Sequence, residues 1–123
     1  MQAKPQNYKD LIVWQKGIAL GKLIYRLTAQ FPSEEKFGLV AQMRRAVISI
    51  PSNIAEGHAR HTMGELIQFI SHAEGSVAHL NTQLVLAIEL RFTSTSDSNT
   101  ASQLLEHLRR NLNGLRRKLQ KSA

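Results

Sequence analysis

The chain has 123 residues, 42% of them apolar and 20% charged, which is the composition of a folded protein of single-domain size. It has no cysteine, which excludes disulfides, thiolate catalysis and cysteine-ligated zinc. Sixteen basic and nine acidic side chains give a net charge of +7, which either favours an anionic partner such as nucleic acid or serves only solubility. No segment has the pattern of a signal peptide, and no apolar run reaches the ~20 residues that span a bilayer. We expect a single domain over residues 1–123 that is cytoplasmic and has no membrane partner.

The first predicted helix covers about residues 10–30, where apolar side chains recur every three or four residues. Asp10 is the predicted N-cap, and Pro32 predicts the end of the helix, because the residue before a proline avoids the helical conformation. Gly17 and Gly21 lie one turn apart and predict the close approach of a second helix.

The second predicted helix covers about residues 34–59, with Ser33 as its N-cap. One apolar stripe predicts its core-facing side: Leu39, Met43, Ala46, Ile50 and Ile54. Pro51 has no N–H to donate to the preceding turn and predicts a kink. Ile48, Pro51 and Ala55 lie outside the stripe, and we expect them to form a contact between subunits. The alternative is a monomer in which these residues are exposed to water.

Two lines of polar side chains follow helix spacing. The first line lies on the second helix: Gln42, Arg45, Ser49, Asn53 and Glu56. The second line lies on the third helix and is uncharged: His72, Ser76, His79 and Gln83. The two lines either face each other and are partly buried, or form two unrelated solvent-exposed surfaces.

The third predicted helix covers about residues 63–91 and begins with a capping box in which Thr62 and Glu65 are the key residues. Its apolar residues alternate strictly at spacings of four and three: Leu66, Ile70, Ala73, Val77, Leu80, Leu84 and Ala87. This spacing is typical of a coiled-coil seam. A loop rich in serine and threonine follows.

The fourth predicted helix covers about residues 101–121 and has one narrow leucine face. Six basic side chains lie on it: Arg109, Arg110, Arg116, Arg117, Lys118 and Lys121. Its one acidic residue is Glu106. Guanidinium groups match phosphate geometry, so these six residues are candidates for nucleic-acid binding. The alternative is a solvated basic tail, because cations also stabilise the C-terminal end of a helix.

Four helices with short connections predict an all-α fold, an antiparallel up-down-up-down four-helix bundle. The five histidines do not have the spacing of a metal site, and no nucleotide-binding or nucleophile motif is present. We therefore expect no catalytic residue, no metal site and no cofactor.

Three segments carry a family resemblance. They are Tyr8-Lys9-Asp10-Leu11-Ile12-Val13-Trp14-Gln15-Lys16, the run from Phe37-Gly38-Leu39-Val40 to Asn53-Ile54-Ala55-Glu56-Gly57, and Gly75-Ser76. Together they resemble the 23S rRNA intervening-sequence proteins, over about residues 8–92 and without the fourth helix. The resemblance implies a four-helix bundle that assembles as a homopentamer. A related branch is the accessory protein of diversity-generating retroelements, a basic pentamer that associates with a reverse transcriptase and nucleic acid.

One position departs from that family. Members often carry a glutamate where this chain has His79, so a polar pairing that depends on that carboxylate is not implied here. We expect a non-enzymatic, self-associating protein that binds RNA or another nucleic acid through a basic surface. The alternative is a homo-oligomeric scaffold that presents the two polar lines to a protein partner and does not bind nucleic acid directly.

Overall fold

The computed structural model describes residues 7–122. Its four helices are α1 (Ile12–Thr28), α2 (Leu39–Ala59), α3 (Met63–Glu89) and α4 (Asn99–Ser122). Short 3-10 turns, Tyr8–Asp10 and Ser33–Glu35, precede α1 and α2. Residues 7–122 contain no strand, which confirms the prediction of an all-α fold with four helices. None of the helices in this range is long and apolar enough to cross a membrane.

The first two helices begin later than predicted. Asp10 ends a 3-10 turn, and Leu11 takes the N-cap position of α1 without a side-chain hydrogen bond. Ser33 likewise begins a 3-10 turn rather than α2. Gly38 has φ −103° and ψ −112°, which is outside the helical region and prevents α2 from extending backwards. Glu35 Oε1 instead accepts a hydrogen bond from the first backbone N–H of α2 at 3.3 Å.

The third helix has a distinct signal at each end. Thr62 Oγ1 accepts a hydrogen bond from Glu65 N at 3.1 Å, so Thr62 is the N-cap, as the predicted capping box requires. The Glu65 carboxylate accepts from the Thr62 hydroxyl at 3.0 Å, whereas a capping box has it accept from the backbone N–H. At the other end, Phe92 N donates to Ala87 O at 2.9 Å, and Arg91 has a positive φ of 63°. This bonding pattern is a Schellman motif, in which a left-handed residue stops the helix. The helix therefore ends at Glu89, two residues before the predicted end.

The helices pack in a closed order around one core. Helix α1 contacts α2 and α4, and α3 contacts the same two helices. Within the described part of the chain, no Cα atoms of α1 and α3, or of α2 and α4, lie within 8 Å of each other. Fully buried side chains from all four helices fill the centre, among them Leu20, Ile24, Met43, Ile50, Ile54, Ile70, Leu80, Leu84, Leu108 and Leu112. The predicted core stripe of α2 is buried except at Leu39, which is half-buried.

Glycines set the distance between α2 and its two neighbours. A Cβ on Gly17 would lie 3.2 Å from Cδ of Pro51, and a Cβ on Gly57 would lie 2.8 Å from Cβ of Phe69. A Cβ on Gly21 would meet nothing within 4 Å. The predicted close approach on α1 therefore occurs at Gly17 and not at Gly21.

Candidate functional site

Formal charge is divided unevenly between two halves of the bundle. Helix α4 carries six basic side chains and one acidic one, and α1 carries three basic side chains and no acidic one. Helix α2 carries two basic and one acidic side chain, and α3 carries three acidic side chains and no basic one. The pair α1 and α4 therefore has a net charge of +8, and the pair α2 and α3 has −2. Because α1 packs against α4, the cations of both helices lie on one half of the protein.

A hydrogen bond and a shared surface depression lie between α1 and α4. Lys16 Nζ donates a hydrogen bond to Asn111 Oδ1 at 2.6 Å, in the middle of α4. Leu27, near the end of α1, and Ala101, near the start of α4, line the same surface depression of about 300 Å³. Lys16 therefore lies beside the middle of α4, and Arg26 and Leu27 lie near its start.

Two of the six predicted α4 cations are held in short ion pairs with carboxylates. Arg116 Nε lies 2.5 Å from Glu74 Oε1 of α3, and both side chains are about three-quarters buried. Arg109 Nη2 lies 2.6 Å from Glu106 Oε1 on the exposed surface. The hydrogen bond from Arg109 holds the pKa of Glu106 below its usual range, and the same bond raises the pKa of Arg109. A carboxylate thus already neutralises each of these guanidinium groups.

The remaining cations of α1 and α4 form what we call the basic face. Its members are Lys16, Lys22, Arg26, Arg110, Arg117, Lys118 and Lys121. All except Lys16 are exposed. Arg110 Nε also lies 3.8 Å from Glu106, a loose contact compared with that of Arg109. The three α1 residues were not predicted from sequence. Single lysines and arginines spaced along an amphipathic helix do not by themselves indicate a binding surface.

Arg116 contributes to the assembly of the bundle. Its ion pair with Glu74 joins α4 to α3, and Asn113 Nδ2 lies 3.5 Å from the second carboxylate oxygen of Glu74. Arg116 Nη1 also donates to Gln120 Oε1 at 3.1 Å. Arg116 is therefore left out of the basic face, although its residue type and position made it a candidate.

The two predicted polar lines meet at one point. The hydroxyls of Ser49 and Ser76 lie 2.5 Å apart and share a hydrogen bond between α2 and α3. Asn53 Nδ2 donates to Ser49 O at 2.7 Å, within α2. The ends of the α2 line are exposed: Gln42, Arg45 and Glu56. Of the α3 line, His72 and His79 are exposed, and Gln83 is buried. No hydrogen-bond partner for Gln83 Oε1 occurs among the described residues.

An open apolar groove of about 330 Å³ lies between α1 and α2. It contains the three residues predicted to contact another subunit. Ile48 is 49% exposed and Ala55 is half-buried, whereas Pro51 is buried against Gly17. Ile18 and Gly21 of α1 form the opposite wall, and neither residue was predicted to contact another subunit.

A second apolar patch lies on the C-terminal part of α3. Val85, Leu86 and Leu90 are each about half exposed, at 52%, 48% and 51%. The protein therefore carries apolar surface both in the α1–α2 groove and on α3. In the described range, no group of three or more His, Cys, Asp or Glu side chains is placed to hold a metal ion.

The comparison with known families supports the resemblance and extends it. Residues 9–114 match a family model described as 23S rRNA-intervening sequence protein. A search of the curated proteins gave no match. The matched segment ends within α4, so it includes Arg109 and Arg110 but not the basic residues that follow. Because the match covers most of the chain and the four helices fit it, the chain belongs to the 23S rRNA-intervening sequence protein family.

Proposed function

We propose that the protein is a non-catalytic nucleic-acid-binding protein and that the basic face is its binding surface. The observation that carries the proposal is the charge difference between the two halves, +8 on α1 and α4 against −2 on α2 and α3. If the excess positive charge served solubility alone, we would expect it to be spread over all four helices. A concentrated basic surface attracts polyanions and increases their rate of association.

We infer that the helices run alternately up and down, because residues late in one helix contact residues early in its neighbour. These contacting pairs support it: Gly17 with Pro51 and Thr28 with Arg44, Ser49 with Ser76 and Gly57 with Phe69, and Lys16 with Asn111. Leu27 and Ala101, which line one surface depression, follow the same order. In this arrangement, the end of α1 lies beside the start of α4. An experimental structure with any two neighbouring helices parallel would contradict it.

RNA is the first ligand to test, because the name of the family refers to 23S rRNA. Replacing Arg110 and Arg117 by glutamate should weaken RNA binding by more than about tenfold near 100 mM salt and make the salt dependence shallower. Fluorescence anisotropy with a labelled RNA measures both quantities. Arg116 is not included in this variant, because its loss would break the ion pair with Glu74.

The matched control reverses two exposed cations outside the basic face, Lys36 and Arg45. It changes the net charge by the same amount, so a general electrostatic effect would weaken binding equally in both variants. Equal losses would contradict the assignment to the basic face. Absence of binding to RNA and to DNA at low salt would end the proposal.

A second proposal, self-association, rests on the two apolar patches. A patch in the α1–α2 groove and a different one on α3 suit a head-to-tail contact between copies rather than a two-fold dimer. Such a contact forms a ring when the rotation between copies closes. Replacing Ile48 by glutamate should then reduce the mass measured by light scattering after gel filtration. The control is Ile12→Glu, which removes an isoleucine that is 63% exposed and lies outside both patches. A parent protein that is a single subunit at all concentrations would contradict this proposal.

The alternative function is a homo-oligomeric scaffold without direct nucleic-acid binding. The exposed ends of the α2 polar line, together with His72 and His79, would then be the surface that contacts a protein partner. An oligomer that binds neither RNA nor DNA at low salt would favour this alternative over the first proposal.

A further inference from the structure

We infer that the basic face binds the sugar–phosphate backbone of a duplex in preference to a single strand, without reading base sequence. This inference rests on the proposed function and concerns the form of nucleic acid that the basic face accepts. Three features of α1 and α4 carry it: the length of the basic face, its lack of stacking surfaces, and its attachment to the rest of the bundle.

The first feature is the length of the basic face. Lys16 bonds to Asn111, and Lys22 and Arg26 lie six and ten residues further along α1. Arg117 and Lys121 lie six and ten residues beyond Asn111 on α4. With a rise of ~1.5 Å per residue and the two helices antiparallel, the cations extend roughly 15 Å to each side of the Lys16–Asn111 contact. The basic face is therefore about 30 Å long, which corresponds to roughly nine base pairs of duplex at ~3.4 Å per pair.

The second feature is the absence of surfaces for base stacking. Residues 99–122, which include all of α4, contain no Phe, Tyr or Trp. On α1, Trp14 lies in the groove beside α2, with its ring 5.5 Å from that of Tyr8. Tyr25 is 40% exposed, and the guanidinium of Arg44 occupies one face of its ring at 4.4 Å, also on the α2 side. Proteins that bind single strands combine a basic groove with aromatic side chains on which bases stack, and the basic face lacks that second component.

The third feature is that both helices are held in place. Lys16 and Asn111 join α1 to α4, and Arg116 and Glu74 join α4 to α3. A fixed row of cations suits a stiff ligand whose phosphates are regularly spaced, since little conformational freedom is lost on either side. A flexible single strand must be ordered along the row and also has a lower charge density, so it releases fewer counterions per contact.

The test compares a duplex RNA of roughly 20 base pairs, the duplex DNA of the same sequence and each separated strand, over about 50 to 200 mM salt. We expect both duplexes to bind at least about tenfold more tightly than the strands, with log K falling against log salt at a slope of about −5 for six phosphate contacts. A second duplex of scrambled sequence should bind equally well. Separated strands that bind as tightly as the duplexes, or a strong preference for one duplex sequence, would overturn the inference.

Either of these two results would overturn this inference but leave the proposal of nucleic-acid binding intact. In contrast, a failure of every probe to bind at low salt would remove both proposals, so the two failures are distinguishable. Binding confined to one of the two duplexes would retain the preference for duplex and identify the helical form that fits the face.

A variant of α1 tests whether the basic face acts as one row. Replacing exposed Lys22 and Arg26 by alanine should reduce the salt slope on duplex RNA by about two. The control replaces Lys36 and Arg45 by alanine and should leave the slope unchanged. Circular dichroism checks that both variants remain helical. An unchanged slope in the α1 variant would show that the contact is confined to α4 and would overturn the inference.

Discussion

The two halves of the bundle use their polar residues in different ways. Between α2 and α3, polar groups are turned towards each other, as in the hydrogen bond of Ser49 with Ser76, and Gly57 allows the helices to approach closely. On α1 and α4, most cations are exposed and have no carboxylate partner at close range within the described chain. All four helices contribute to the core, but polar groups of α2 and α3 contact each other inside the bundle, whereas α1 and α4 present a charged surface.

The largest effect is expected at the α2–α3 contact. Gly57→Ala places a methyl group 2.8 Å from Cβ of Phe69, an atom that cannot move without its backbone. We expect a loss of about 2 kcal/mol in the free energy of unfolding, measured by urea denaturation. Gly21→Ala is the control, because a Cβ there meets nothing within 4 Å, and it should stabilise α1 by about 0.5–1 kcal/mol. Equal effects of the two changes would contradict the close packing of α2 against α3.

The next effect concerns the ion pair that crosses between the halves. Glu74→Gln leaves the partly buried charge of Arg116 without its carboxylate, and we expect a loss of about 1–2 kcal/mol in stability. In a double-mutant cycle with Arg116→Gln, most of that loss should appear as coupling energy. Additive single changes would show that Arg116 is not engaged with Glu74 in solution, and Arg116 would then join the basic face.

A smaller effect is expected at the end of α3. Arg91 has a φ of 63°, a conformation that costs a non-glycine residue about 1 kcal/mol. Arg91→Gly should relieve this strain and raise the melting temperature by a few degrees. RNA affinity should change little, since Arg91 lies outside the basic face. A large loss of RNA affinity in this variant would contradict the assignment of RNA binding to α1 and α4.

The smallest effect concerns RNA affinity alone. Glu106→Gln removes the carboxylate that neutralises Arg109, so affinity should rise by about two- to fivefold while stability stays nearly unchanged. Because the pKa of Glu106 is lowered, its charge is present throughout the neutral range and is lost only as the pH falls through that lowered value. The gain should therefore persist at every neutral pH tested by anisotropy. An affinity that does not change would place the contact away from this part of α4.

Sequence patterns predicted several elements well because their signals are local. The alternating seam of α3, the cap at Thr62 and the core stripe of α2 depend on residues a few positions apart, and all appear in the structure. The start of α2 was predicted wrongly, because Ser33 and the acidic residues after it are typical of a helix start. That pattern did not predict the non-helical backbone at Gly38, or that the Glu35 side chain would accept a hydrogen bond from the first N–H of α2.

The candidate site was predicted only in part. The excess of cations on α4 is a property of composition and needs no fold. Arg116 was excluded from the basic face because it pairs with Glu74, which is 42 residues away along the chain and could not be identified as its partner from sequence. The wall of the groove formed by Ile18 and Gly21 likewise depended on which side of α1 faces α2.

The sequence by itself determined four amphipathic helices, the family and a net positive charge, because these follow from local periodicity, motif and composition. The tertiary structure decided which helices are neighbours. Packing α1 beside α4 placed Lys22 and Arg26 on the same half of the bundle as the α4 cations, and packing α3 beside α4 paired Arg116 with Glu74. The physical reason is that electrostatic attraction and burial act over a few ångströms in space, and contacts between distant parts of the chain cannot be read from spacing along it.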